Sequence, residues 1–220
     1  MTKLWLTRIQ PHLHHRQARR DLSSAVALHH SLMQLFPDHL GDQARRKAGV
    51  LFRTEDTGPA PVILLQSHLQ PDLDKLPTGY ATAATKELTP LLEALRPGLA
   101  VRYRITANAV RKPGHTTRAT TGAPAVIPLS GADADHWWQR QAEEHSGLHL
   151  TTAHSTPLDS ARGERAQDKR RITHARTRFD GIAHIKDTEL LRQRILDGIG
   201  RGKAYGCGLL TLAPASRHTP

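Results

Sequence analysis

At 220 residues with 38% hydrophobic residues, the chain is long enough for one large domain or two small ones, and no run approaches the roughly 20 apolar residues of a membrane span. The single cysteine, Cys207, excludes an internal disulfide framework and a cysteine-based zinc site. A formal charge of +11, from 31 Lys and Arg against 20 Asp and Glu, points to a polyanionic partner, because neutralised phosphates release their counterions.

The N-terminus has neither an apolar signal core nor a small-residue cleavage site, so a cytoplasmic protein is expected, and KLWLTRI (3–9) reads as a first strand. Asp21 is the expected N-cap of a helix running to Phe36 and stopped by Pro37. Its apolar stripe is Leu22, Ala25, Leu28, Leu32, Leu35 and Phe36. His29 falls inside that stripe and His30 just outside it, so the pattern alone reads His29 as a core residue. GVLFRTED (49–56) and PVILLQSHL (61–69) flank a Gly58-Pro59 turn and predict a hairpin. TKELTPLLEAL (85–95) predicts a helix ended by Pro97-Gly98, and LAVRYRITANAV (99–110) a strand of alternating polarity. Strand, helix, two strands, helix and strand form a ferredoxin-like unit over residues 1–110.

Residues 111–124 read as a basic, Gly- and Thr-rich linker. Beyond it, 125–130 is extended and 133–146 helical; 171–187 supplies strand material interrupted at Asp180-Gly181. A helix over 188–199 and a closing strand in CGLLTLAP complete a second α+β unit over 125–214, with a tail at 215–220.

The cations cluster. Arg19 and Arg20 close HHRQARR (14–20), RRK spans 45–47, Arg111 and Lys112 follow the first unit, and RGERAQDKRR (162–171) holds Arg162, Lys169, Arg170 and Arg171. That last run reads equally as a basic hairpin reaching a polyanionic partner and as a solvated charged loop. The 15 histidines include no HExxH, and most read as surface residues, so no metal site is expected.

GIGRGKAYGCGLLTLAP (198–214) raises the question of a nucleotide. A phosphate-binding P-loop needs glycine where Asp197 stands and Ser or Thr where Ala204 stands. A dinucleotide fingerprint needs glycine at Lys203 and a strand-to-helix order, whereas here a helix precedes the loop and a strand follows it. No nucleotide cofactor is expected. Gly200, Arg201, Gly202 and Lys203 instead fit close approach to a phosphate backbone.

This loop, with LWLTRI, RRDLSSAVALHHSLMQLFP, ILLQS (63–67), TANAVR (106–111) and FDGIAHI, resembles the CasE family of RAMP proteins over most of the chain. CasE proteins are the CRISPR RNA processing endoribonucleases of type I-E systems. The resemblance implies two tandem ferredoxin-like domains, an α+β fold. It also implies a CRISPR repeat hairpin RNA as substrate, other Cascade subunits as partners, and neither membrane nor metal. The family's catalytic histidine falls on His29, with His30 as the register neighbour. Two departures stand out: Val26 occupies the place of a frequent tyrosine, and Thr106–Arg111 replaces a frequent R-A-N-P-x-K.

The implied chemistry needs little equipment. A base deprotonates the 2′-hydroxyl, which attacks its own phosphorus and leaves a 2′,3′-cyclic phosphate; an acid protonates the departing 5′-oxygen. Imidazole suits both tasks. A non-catalytic RNA-binding RAMP scaffold is the competing reading. A metal-dependent nuclease is disfavoured on the reading that the sequence holds no compact acidic cluster such as Asp-x-Asp or a paired Glu/Asp motif.

Overall fold

The computed structural model describes residues 3–56, 58, 60–114, 126–164 and 171–215. The first half runs β1 (Trp5–Pro11), α1 (Arg16–Ser23), α2 (Ala25–Met33), α3 (Ala44–Lys47), β2 (Leu51–Glu55), β3 (Val62–Ser67) and β4 (Ala81–Glu87). Its antiparallel sheet has the order β2-β3-β1-β4, the ferredoxin-like arrangement, with a 3₁₀ turn (Leu73–Lys75) where the second helix would stand. A short helix, α4 (Thr89–Ala94), leads into β5 (Ala100–Ala107) and then a small ribbon of β6 (Val110–Arg111) and β7 (Ile127–Pro128). The second half continues with α5 (Gly131–Glu143), β8 (Leu148–Glu164), β9 (Arg171–Ile185), α6 (Thr188–Asp197) and β10 (Leu210–Pro214). Its sheet order, β10-β5-β9-β8, is the same arrangement with both helices present. No described helix is long and apolar enough to cross a membrane.

Each half has its own core. In the first, Leu28, Leu32, Leu35 and Phe36 pack against Ile9, Phe52, Ile63 and Leu65. In the second, Trp138 and Phe179 stack 5.6 Å apart among Tyr103, Ile105, Leu191 and Ile195. Two buried polar side chains tie the halves together. Arg53 donates through Nη1 to the carbonyls of Arg104 (3.1 Å) and Leu209 (3.0 Å), and through Nη2 to Glu55 and Thr211. The Gln66 amide donates to Ile195 O at 2.7 Å.

Several expectations are corrected. The helix foreseen over 21–36 is two helices, because Ser24 leaves helical geometry (φ −139°, ψ 112°) and caps the second by accepting from Ala27 N. Asp21 is therefore no N-cap; it is buried inside α1 and accepts from the Tyr80 hydroxyl at 3.0 Å. Residues 81–87 form β4, not the start of a helix, which is confined to 89–94 with Pro90 in its first turn. The strand foreseen as closing the first half joins the second sheet instead, so the strand that completes the first sheet is β4. β9 runs unbroken through Asp180-Gly181; a Cβ on Gly181 would lie 2.0 Å from Thr152 O, so glycine there permits β8 to approach.

Candidate functional site

His29 is placed by α2, whose apolar stripe turns the ring towards β2. Its imidazole lies nearly parallel to Phe52, with planes 18° apart and centroids separated by 6.4 Å. The Nδ1 atom is buried and has no hydrogen-bond partner among the described residues. Burial first, then the nearby charges of His30 and Arg45, lower its pKa to about 4, so the ring is neutral at pH 7. His30 is exposed on the next position of the helix.

The glycine loop faces the same helix. The 3₁₀ turn Lys203–Tyr205 packs against α2 and β2. Ile199 N donates to Gly208 O (3.0 Å), Gly208 N donates to Thr106 O (2.8 Å), and Asn108 bridges to Arg201, so the loop is laced to the end of β5. Its five glycines all have φ between +73° and +89°. At Gly208 a Cβ would meet Ile199 O at 2.7 Å, whereas at Gly202 nothing lies nearer than 3.5 Å. Gly208 is thus required by packing and Gly202 by backbone conformation alone.

Two recesses reach the glycine loop, one through Tyr205 and Gly206 and the other through Lys203. One, about 490 Å³, opens between α2 and the turn-side part of the β8–β9 hairpin and is lined by Leu28, Phe52, Thr54, Arg162, Arg176 and Tyr205, among others. Tyr205 is held there by stacking on His174, with centroids 5.0 Å apart. Burial, then the charge of Arg201, lowers the His174 pKa. The other recess contains Arg45, whose charge acts on His29, together with Lys203. His29 thus stacks on a lining residue of the first recess and lies within the field of a cation lining the second.

The remaining sequence candidates separate. Arg162 and Lys203 reach these recesses. Arg201 and Gly200 are exposed on the loop and Arg171 is exposed at the start of β9. Arg19 and Arg20 sit in the last turns of α1 and line neither recess; Arg19 donates to the carbonyls of Leu13 and His14 and pins the preceding turn. Arg111 and Lys112, on and after β6, also lie outside both. Lys169 and Arg170 lie outside the described residues. The sequence reading missed Arg45, Arg46, Arg176, Arg194, His174 and Tyr205 as site residues. Only Arg45 and Arg46 carried a signal, as part of the RRK cluster.

Val26 packs against the hairpin: a Cβ on Gly163 of β8 would lie 2.6 Å from Val26 Cγ2. β8 occupies the space a larger side chain at position 26 would need. Two Asp-x-Asp pairs do occur in the sequence, at Asp72/Asp74 and Asp133/Asp135, against the expectation of no paired carboxylates. Asp72 caps the Leu73–Lys75 turn and Asp133 lies in the first turn of α5. Among the described residues, no three His, Cys, Asp or Glu side chains converge as a ligand group.

A tandem pair of ferredoxin-like units with a histidine and cations gathered where they meet a glycine loop defines the class. The chain belongs to the CRISPR associated protein family, whose model matches residues 4–214. It is 28% identical over 96% of its length to the whole of the CRISPR-associated endoribonuclease Cse3 of Thermus thermophilus. It is 26% identical to the CRISPR system Cascade subunit CasE of Escherichia coli, across 85% of this chain and 90% of that one. The structure of Thermus thermophilus Cse3 bound to an RNA representing a pre-cleavage complex superposes with a TM-score of 0.79 and 28% identity, covering 96% of this chain and all of that one.

Proposed function

We propose that this protein binds the hairpin of CRISPR repeat RNA, cleaves the precursor without a metal by 2′-hydroxyl attack, and stays bound to its product within a Cascade-type complex. The Thermus relative's name as an endoribonuclease, its RNA-bound structure and the Escherichia relative's place in Cascade support this reading. The observation that carries it in this chain is His29: a neutral, half-buried imidazole beside the glycine loop and within the field of Arg45. A neutral ring can take the proton of the 2′-hydroxyl, so His29 serves as the general base. The phosphorane charge then falls among cations of the loop and α3. The proton for the 5′-oxygen comes from another donor, and Lys203, whose pKa is lowered by burial and then by Arg45, is suited to it.

The test is incubation with a repeat-hairpin RNA in EDTA and identification of the product ends. A 2′,3′-cyclic phosphate is expected, and a 2′-deoxy nucleotide before the cut blocks the reaction. A strict need for magnesium, or cutting of the deoxy substrate, overturns the mechanism. Val26 in the usual tyrosine position favours one competing reading, a non-catalytic RNA-binding subunit; binding without cleavage would establish it.

A further inference from the structure

The second recess has a chemistry of its own. About 240 Å³ in volume, it is lined chiefly by Arg45 and Arg46 of α3, His68 just beyond β3, Arg194 and Asp197 of α6, and Lys203 of the glycine loop. The first three come from one half of the molecule and the last three from the other, so the recess exists only because the halves dock. Four cations face one carboxylate there.

Folding alone does not favour such a gathering, since like charges held close repel. Yet two of the guanidinium groups are held in place. Arg45 Nη1 donates to Val50 O at 2.9 Å and Arg194 Nε to His145 O at 2.6 Å, which anchors both guanidinium groups. His68 lies flat on Gly49, whose absent Cβ would otherwise sit 2.3 Å from the ring, and its backbone N–H is held by Ala48 O. The partly buried His68 ring has its pKa lowered by burial, against raising effects of the Leu196 backbone and Asp197. Burial, followed by the charges of Arg45, Arg194 and Arg46, depresses the Lys203 pKa against a raising effect of Asp197. An anion would offset the mutual repulsion of Arg45, Arg46, Arg194 and Lys203.

We propose that this recess is a phosphate subsite that grips the RNA strand passing His29, at a phosphate neighbouring the scissile one. The proposal rests on the RNA-binding reading above. The recess is smaller than the usual small-molecule pocket of about 300 Å³ or more, and four cations dominate its lining, so it fits a phosphate group and not a base. Arginine forks match phosphate oxygens in two-point contacts. Arg45 links the subsite to the reaction, because its charge reaches His29. A phosphate held here sets the register of the strand on the histidine.

The experiment titrates a hairpin RNA, made uncleavable by a 2′-deoxy nucleotide at the cut, against the parent, Arg46→Gln, Arg194→Gln and a control, Lys86→Gln. Arg46 and Lys86 are both exposed, so their replacement leaves the fold intact by thermal melting. The RNAs carry single neutral methylphosphonates at successive positions. In the parent, one position near the cut is expected to weaken binding about tenfold, the usual scale of a charged hydrogen-bonded contact. In Arg46→Gln and Arg194→Gln the same methylphosphonate has no further effect, and the slope of log K against log salt falls by roughly 0.7 to 0.9. Lys86→Gln keeps the parent's sensitivity. If every methylphosphonate effect persists in the recess variants, the subsite is overturned while RNA binding stands. If the parent does not bind the hairpin, both fall. Should Arg194→Gln melt early, Arg46→Gln decides alone.

Discussion

The imidazole of His29 stacks on the ring of Phe52, 6.4 Å between centroids, while its Nδ1 is buried and has no hydrogen-bond partner among the described residues. A histidine kept only for packing would be expected to satisfy that nitrogen. His29→Ala should therefore slow cleavage by about 10² to 10⁴, the range for a lost general acid–base group, and leave hairpin affinity close to the parent's. His30→Ala, at an exposed position, should keep most of the activity. Single-turnover cleavage and anisotropy binding on the same preparations separate the two. Parent-like cleavage by His29→Ala would move the base elsewhere.

The same burial makes stability depend on pH. His29 titrates at about 4 in the folded protein against 6.5 ordinarily, so between those values the unfolded chain binds more protons. Its contribution is complete above pH 6.5 and is lost as pH falls towards 4. His68 and His174 are shifted in the same direction, each mainly by burial. The melting temperature should fall from pH 7 to pH 5, and His29→Gln should flatten part of that fall. A cleavage rate steady from neutral pH down to about 5.5 fits a base that is already neutral.

Legibility in the sequence followed burial. Strands and helices with one apolar face, such as β1, β3, α6 and β10, were readable from periodicity. β4, ATAATKE, presents no large apolar side chain, and β8 is exposed along most of its 17 residues and contains Pro157, so neither shows the alternation that marks a strand. β5 was recognised as a strand but given to the wrong sheet, since its partners are fixed by long-range pairing. His29 could be singled out only by resemblance, because its periodicity is that of a core residue. The convergence of Arg45, Arg194 and Lys203 depends on how α3 docks beside α6, which local pattern does not encode.

Arg53 is 2% exposed and binds two carbonyls, Thr211 and Glu55 at the seam between the halves. Arg53→Met should cost about 3 kcal/mol, because it leaves the two carbonyls without this donor and the Glu55 carboxylate with Arg104 alone, 3.6 Å away. Glu55→Gln should cost less, since the carbonyl contacts survive. Urea unfolding of the two variants checks the ranking.

Gly163 and Val26 should be coupled. Gly163→Ala places a methyl 2.6 Å from Val26 Cγ2 and should destabilise the protein by about 1 to 3 kcal/mol through overpacking. Val26→Ala on top of it should recover much of the loss. A double-mutant cycle by denaturant unfolding gives the interaction directly; simple additivity would mean that β8 yields freely at Gly163.

The glycine loop offers the sharpest contrast. A Cβ on Gly202 would have room, 3.5 Å from Cys207, yet φ of +73° strains any L side chain there. Gly202→Ala should therefore cost about 1 kcal/mol of stability without a steric clash. At Gly208 the Cβ would press within 2.7 Å of Ile199 O, so Gly208→Ala should be the more damaging to folding. Arg201→Ala with Lys203→Ala should act the other way, leaving the melting temperature near the parent's and weakening hairpin binding, because Arg201 is exposed and Lys203 lines the cationic recess. Melting curves and hairpin affinity measured on all three variants decide it. Unchanged affinity in the double variant would remove the loop from RNA binding, with the proton transfer assigned to Lys203 read separately from the cleavage rate, and a melting temperature equally lowered in Gly202→Ala and Gly208→Ala would show that backbone strain, not crowding, governs both.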